Sequence, residues 1–127
     1  MPQFLIVTNE TDKFSEMVKR LSTESKCQIH WANSVNAARI AVAEAPVDLL
    51  IIDEVVDGTS GFEIAREVIS VNAVIDLALV SPLSPQNFHD AAEGLGIMVQ
   101  LSPSPGKKDA GKLLAAFKSL SALKSPA

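Results

Sequence analysis

The sequence predicts an α/β fold, a three-layer αβα sandwich built on a five-stranded parallel sheet of order 2-1-3-4-5. Three observations carry this expectation. Leu49-Leu50-Ile51-Ile52 follows Val47-Asp48 with no polar alternation, as a strand covered on both faces requires. Short apolar runs of that kind alternate along the chain with segments whose apolar residues recur at helical spacing. The chain has 127 residues, 47% of them hydrophobic, enough for one domain with a real core, and it shows no repeat or linker. Right-handed crossovers make the 2-1-3-4-5 order the simplest arrangement.

The first strand is Gln3–Val7, ending at Thr8-Asn9-Glu10. Thr11 or Asp12 can cap the helix that follows, in which Phe14, Met17, Val18 and Leu21 form one apolar stripe while Lys13, Glu16, Lys19 and Arg20 fall on the wet side. A polar turn leads to a more alternating strand over Cys27–Ala32, suited to the sheet edge. Ser34 caps the second helix, which packs through Val35, Ala38, Ala41 and Val42 and stops before Pro46, because a residue preceding proline is pushed out of the helical region. The third strand is Val47–Ile52 and runs into Asp53. After the turn residues Asp57, Gly58 and Thr59, Ser60-Gly61-Phe62-Glu63 reads as a capping box opening the third helix, with Phe62, Ala65, Val68 and Ile69 inward. Leu77–Val80 is the fourth strand and closes on Ser81. Ser84-Pro85 starts a helix carrying Phe88, Ala91 and Ala92 that ends at Gly94. Ile97–Leu101 is the fifth strand, and Ser102-Pro103-Ser104-Pro105-Gly106 an extended loop. The last helix, from Lys107 to about Leu123, packs through Ala110, Leu113, Leu114, Phe117 and Leu120, and Gly111 within it costs about 1 kcal/mol against alanine. Residues 1–124 are expected to form the domain and residues 125–127 a frayed tail.

Composition excludes several classes of function. A net charge of −4 leaves no basic footprint for nucleic acid. No apolar run approaches a membrane span, and the N-terminus lacks the plan of a signal peptide, so a cytoplasmic location is expected. The single cysteine, Cys27, cannot form an internal disulfide and reads as a small core residue. His30 and His89 lack ligand spacing and read as surface residues; Trp31, ending the second strand, reads as half-buried packing rather than an exposed contact.

In the predicted strand order the topological switch point lies between the first and third strands, so Thr8-Asn9-Glu10 and Asp53 face each other across the crevice where open α/β sheets place ligands. DLLIID ending on Asp53, Gly61-Phe62-Glu63, Ser81 closing strand four, and Pro103 just after strand five have a familiar spacing. Over nearly its whole length the chain resembles the CheY-like receiver domain of bacterial two-component response regulators, a flavodoxin-like fold. The resemblance implies an aspartate, here Asp53, that accepts a phosphoryl group from a histidine kinase or phosphotransfer protein. It implies a magnesium ion held by an acidic pair after strand one, by the acceptor, and by the backbone carbonyl two residues on, here Val55. It also implies a Ser/Thr after strand four, here Ser81, and a lysine before the proline, both touching phosphoryl oxygens, and a cis bond at the position of Ser102-Pro103.

The chemistry departs from that pattern. Thr8-Asn9 replaces the acidic pair, Ser102 replaces the lysine, and Val99 stands at the aromatic switch position of strand five. Magnesium seeks oxygen ligands in near-octahedral geometry, and here Asp53 is the only first-shell carboxylate, with the Asn9 amide oxygen a weaker ligand and Thr8 at best an anchor for outer water. Magnesium binding is therefore weakened and no cofactor is certain. Phosphoryl transfer rests on positioning and charge stabilisation, so losing both the acidic pair and the lysine is serious. Two readings compete: a phosphoacceptor with an unusual pocket, or a receiver-like module, not an enzyme, that signals by docking on a protein partner with phosphoryl acceptance impaired or lost. The sequence favours the second. The resemblance puts the docking face on the fourth helix, fifth strand and fifth helix, near His89, Asp90, Gln100 and Lys107-Lys108, and the same face suits a homodimer. A flavin or small-molecule binder of the same strand order is a third class. TNETDKFS after strand one lacks glycine and is acidic, and the chain has one Trp and no Tyr to sandwich a flavin.

Overall fold

In the computed structural model, which describes residues 2–124 and the side chains of residues 2–120, five strands form one parallel sheet. They are β1 (Gln3–Val7), β2 (Gln28–Ala32), β3 (Leu49–Ile52), β4 (Asp76–Val80) and β5 (Ile97–Leu101), in the order β2-β1-β3-β4-β5. The helices are α1 (Ser15–Glu24), α2 (Val35–Glu44), α3 (Gly61–Val71), α4 (Pro85–Ala92) and α5 (Lys107–Lys124). This is the expected α/β fold and strand order. The tail expected at residues 125–127 lies outside the described residues.

Side chains leave successive strand residues on opposite faces, and that period builds two cores. Phe4 and Ile6 of β1 and Leu49 and Ile51 of β3 pack with Phe14, Met17 and Leu21 on one face and with Ala110, Leu113 and Leu114 of α5. Leu5, Val7, Leu50 and Ile52 pack on the other face with Ala38 and Val42 of α2 and Ile64, Ala65 and Val68 of α3. All four residues of β3 are fully buried, which is why its run needs no polar alternation. Ile64, absent from the predicted inward set of α3, is also fully buried. Ala91, assigned to the packed face of α4, is exposed. Three helices have the expected serine caps: Ser34, Ser60 and Ser84 each accept the amide of the residue three positions on. The glutamate of the expected capping box at Ser60 pairs with Arg66.

Several local expectations change. Neither Thr11 nor Asp12 caps α1. Thr11–Phe14 instead forms a turn of 3₁₀-helix running into α1, and no side chain caps either junction. Cys27 precedes β2 and is partly buried against the α1/α5 core, and burial pushes its thiol up while bonds from Ser25 and its own backbone pull down. Trp31 sets its ring edge against Phe14 at 6.5 Å and still leaves 42% of its surface exposed. Two-residue strands, Val55–Val56 and Thr59–Ser60, make a small hairpin closed by Asp57 and Gly58, both at positive φ (51° and 78°), the geometry that Asp-Gly turns favour. No cis peptide bond occurs among the described residues, so Ser102–Pro103 is trans, the form an X–Pro amide favours by about 0.5–1 kcal/mol.

Candidate functional site

The register of the central strands pairs Val7 with Ile52, so the next residues, Thr8 and Asp53, emerge side by side at the carboxyl edge of the sheet. Main-chain bonds hold both ends: the Thr8 amide donates to Ala32 O, and the Asp53 amide to Val7 O. Asp53 is 2% exposed and Thr8 1%. The Thr8 hydroxyl donates to Asp53 Oδ2 at 2.6 Å and its oxygen accepts the Glu10 amide at 2.9 Å. Asp53 Oδ1 accepts two donors, the Glu54 amide at 2.7 Å and the Lys13 ammonium at 2.5 Å. A buried carboxylate thereby gains a counter-charge and hydrogen bonds on both oxygens, as burial of a charge demands.

Lys13 is the residue that sequence reasoning missed. Its side chain was expected in water, yet only 20% of it is exposed, and it reaches across to the end of β3. Lys13 lies in the 3₁₀ turn directly after the β1 loop, from which its long side chain spans to the carboxylate. The one sequence signal is a lysine within the first turn after a strand that neighbours the aspartate-bearing strand.

With Lys13 in place, the side-chain oxygens of Asn9 and Asp53, two of the residues implied as magnesium ligands, accept protein donors. Asn9 uses both ends of its amide structurally: Nδ2 donates to Asn33 O and Oδ1 accepts the Asp57 amide, each at 2.8 Å. It ties the loops after β1, β2 and β3 together. Thr8 is committed to Asp53, and Glu10 and Asp57 are exposed. Among the described residues no group of three or more His, Cys, Asp or Glu side chains could hold a metal ion. Val55 lies in the hairpin with half of its surface exposed. The strongest cation at Asp53 is the ammonium already there. An open cleft of about 630 Å³ beside the site is lined by Asn9, Glu10, Thr11, Asp12, Lys13, Pro103 and Ser104; Lys13 rather than Asp53 forms its wall.

The residues implied as phosphoryl contacts lie directly after β4 and β5, and their side-chain polar atoms are engaged locally. Ser81 is 4% exposed, and its Oγ accepts the Leu83 amide at 3.2 Å. Its carbonyl and that of Leu83 both accept from the Gln100 side-chain amide, at 3.1 and 2.7 Å. Gln100, expected on the docking face, is thus turned onto its own fold. The amide and hydroxyl of Ser102 both donate to Asp109, at 2.9 and 2.8 Å, and the Gly106 amide adds a third bond at 3.0 Å. Burial pushes the Asp109 carboxyl up, but these bonds and the Lys112 charge hold it below the usual carboxylate value. Val99 is 8% exposed and packs in the α1/α5 core, paired with Ala78 in the sheet register. His30, His89, Asp90, Lys107 and Lys108 are exposed as expected, with His30 Nε2 on Gln3 Oε1 at 2.7 Å. No described helix is long and apolar enough to cross a membrane.

No family model matches the sequence. No curated protein matches it either. Solved structures do match, and the fold they share with this chain is that of response regulator receiver domains. A CheY-like receiver domain protein of Methanospirillum hungatei is 12% identical, with TM-score 0.78 over 94% of this chain and 95% of its own. The chemotaxis response regulator CheY4 of Vibrio cholerae is 16% identical, with TM-score 0.78 over 92% and 98%. The non-phosphorylated HemR receiver domain of Leptospira biflexa is 16% identical, with TM-score 0.76 over 100% and 99%.

Proposed function

We propose that this chain is a receiver-type signalling module that works by docking on a protein partner, with phosphoryl acceptance at Asp53 impaired or absent. One observation carries the reading: the carboxylate at the acceptor position is closed on itself by Thr8, Lys13 and the Glu54 amide. An aspartate whose charge is balanced by an ammonium and whose oxygens already accept bonds is a weak nucleophile. Displacing those donors would leave a buried carboxylate without compensation. The other half of the chemistry is also thin. Phosphoryl transfer needs positive charge at the equatorial oxygens, and the position of the implied lysine is held by Ser102, itself bonded to Asp109. The docking face implied by the resemblance exposes His89 and Asp90 on α4 and Lys107-Lys108 at the start of α5. The partner that this reading calls for is a protein: a histidine kinase, a phosphotransfer protein or a downstream effector.

Intact mass after incubation with a small phosphoryl donor and magnesium tests this, with Asp53→Asn as control. No added mass is expected. One phosphoryl group present in the wild type and missing in the control would establish a working phosphoacceptor and overturn the reading.

A further inference from the structure

We propose that the Lys13 ammonium is the resident counter-ion of Asp53, standing in for a divalent cation, and that Lys13 is the residue that makes this pocket indifferent to magnesium. The proposal deepens the reading of a self-closed acceptor site and takes its geometry from it. Three observations converge. Lys13 Nζ lies 2.5 Å from Oδ1 of a carboxylate whose side chain is 3% exposed, and with the Glu54 amide it gives that oxygen two donors. The second oxygen is bound by Thr8, whose hydroxyl is itself fixed by the Glu10 amide. Asn9, the remaining oxygen donor at the end of β1, is spent on the loops around it.

An ammonium and a hydrated divalent cation answer the same need, positive charge on a buried carboxylate, but differ in linkage. The ammonium is covalently part of the chain and present at any metal concentration. A metal stabilises by an amount set by its free concentration relative to its dissociation constant. Removing the ammonium leaves Asp53 beside a cleft that also carries Glu10 and Asp12. Magnesium can bind through one or two carboxylates while keeping several waters. Neutralising Lys13 is therefore expected to transfer the pocket from an internal cation to an external one.

The test compares thermal melts of the wild type, Lys13→Gln, Lys13→Arg and the double variant Lys13→Gln with Asp53→Asn, in a chelator and in millimolar magnesium at fixed ionic strength. The wild type and Lys13→Arg should not respond to magnesium. Lys13→Gln should melt lower in chelator and recover several degrees in magnesium, and the double variant should lose that response. A wild type that magnesium stabilises as much as Lys13→Gln overturns the proposal, and so does a Lys13→Gln protein that magnesium leaves unchanged. If Lys13→Gln does not fold, the wild-type ammonium protons give the answer by NMR. A slowly exchanging Lys13 signal that survives magnesium supports the proposal, and one lost on adding magnesium defeats it. Failure here is separable from failure of the functional reading. Magnesium binding without a phosphoryl adduct sinks only this proposal, and an adduct formed without magnesium binding sinks only that reading.

Discussion

The carboxyl ends of β1 and β3 and those of β4 and β5 receive similar material, short polar side chains directly after apolar strands, and use it differently. At Asp53 the donors arrive from far along the chain: Thr8 is 45 positions away and Lys13 is 40. At Ser81 and Ser102 the partners are near neighbours, Leu83 two residues on and Asp109 seven. The first cluster exists only when the sheet is assembled. In the second the serine side-chain bonds are loop and helix-cap chemistry that a local segment can hold, and Gln100 adds a longer tie to the Ser81 and Leu83 carbonyls. The difference shows which half of the pocket reports on the fold, and four substitutions can sharpen or break it.

The largest effect is expected from Gly61→Ala. A Cβ there would lie 2.3 Å from Leu79 Cδ1 and 2.6 Å from the Asp53 carbonyl oxygen, and a main-chain atom cannot yield as a side chain can. A loss of about 3 kcal/mol in urea unfolding is expected, the upper part of the usual range for overpacking. A loss below about 1 kcal/mol would mean that the end of β3 is softer than described.

Thr8→Val keeps the shape and deletes the hydroxyl that donates to Asp53. It should cost about 1.5 kcal/mol, as hydrogen bonds to charged groups do, against about 0.5 kcal/mol for Ser81→Ala. Equal losses in parallel unfolding curves would erase the distinction between the two regions.

Asp109→Asn should be smallest at neutral pH, under about 1 kcal/mol. Its signature is in the pH dependence. The folded Asp109 carboxyl sits below its ordinary value despite the upward push of burial, because Ser102, Gly106 and Lys112 favour the charged form. The stability it contributes is present above the unfolded value, about pH 3.9, and is lost as pH falls through the lower folded value. The wild type should thus lose its advantage over Asp109→Asn on acidification. A difference that grows toward acid would reverse the assignment.

Most of the fold was legible because its signals are local. The unbroken run of β3, the serine caps at Ser34, Ser60 and Ser84, and the apolar stripe of α1 each fit within a dozen residues. Asp53 and Thr8 could be placed together because strand order alone brings them there. What stayed hidden depended on conformation or on three-way contacts. A helical wheel started at Thr11 sends Lys13 to water, while in the structure it spans from a 3₁₀ turn to a carboxylate 40 positions away. Asn9 looks like a metal ligand by position, and the bonds it makes at Asn33 and Asp57 need all three loops at once. The hairpin at Val55–Ser60 has strands of two residues, too short for any alternation to show.

Gln100 has a consequence for motion. Its one amide nitrogen holds the carbonyls of Ser81 and Leu83, while its own carbonyl is held by Lys112 from α5 at 2.9 Å. Pro82 and Pro85 further restrict the backbone between β4 and α4. Displacing Ser81 therefore means breaking bonds to β5, and the loop is expected to move less freely than an untethered surface segment. Its rearrangement belongs with the slower collective events of the sheet edge.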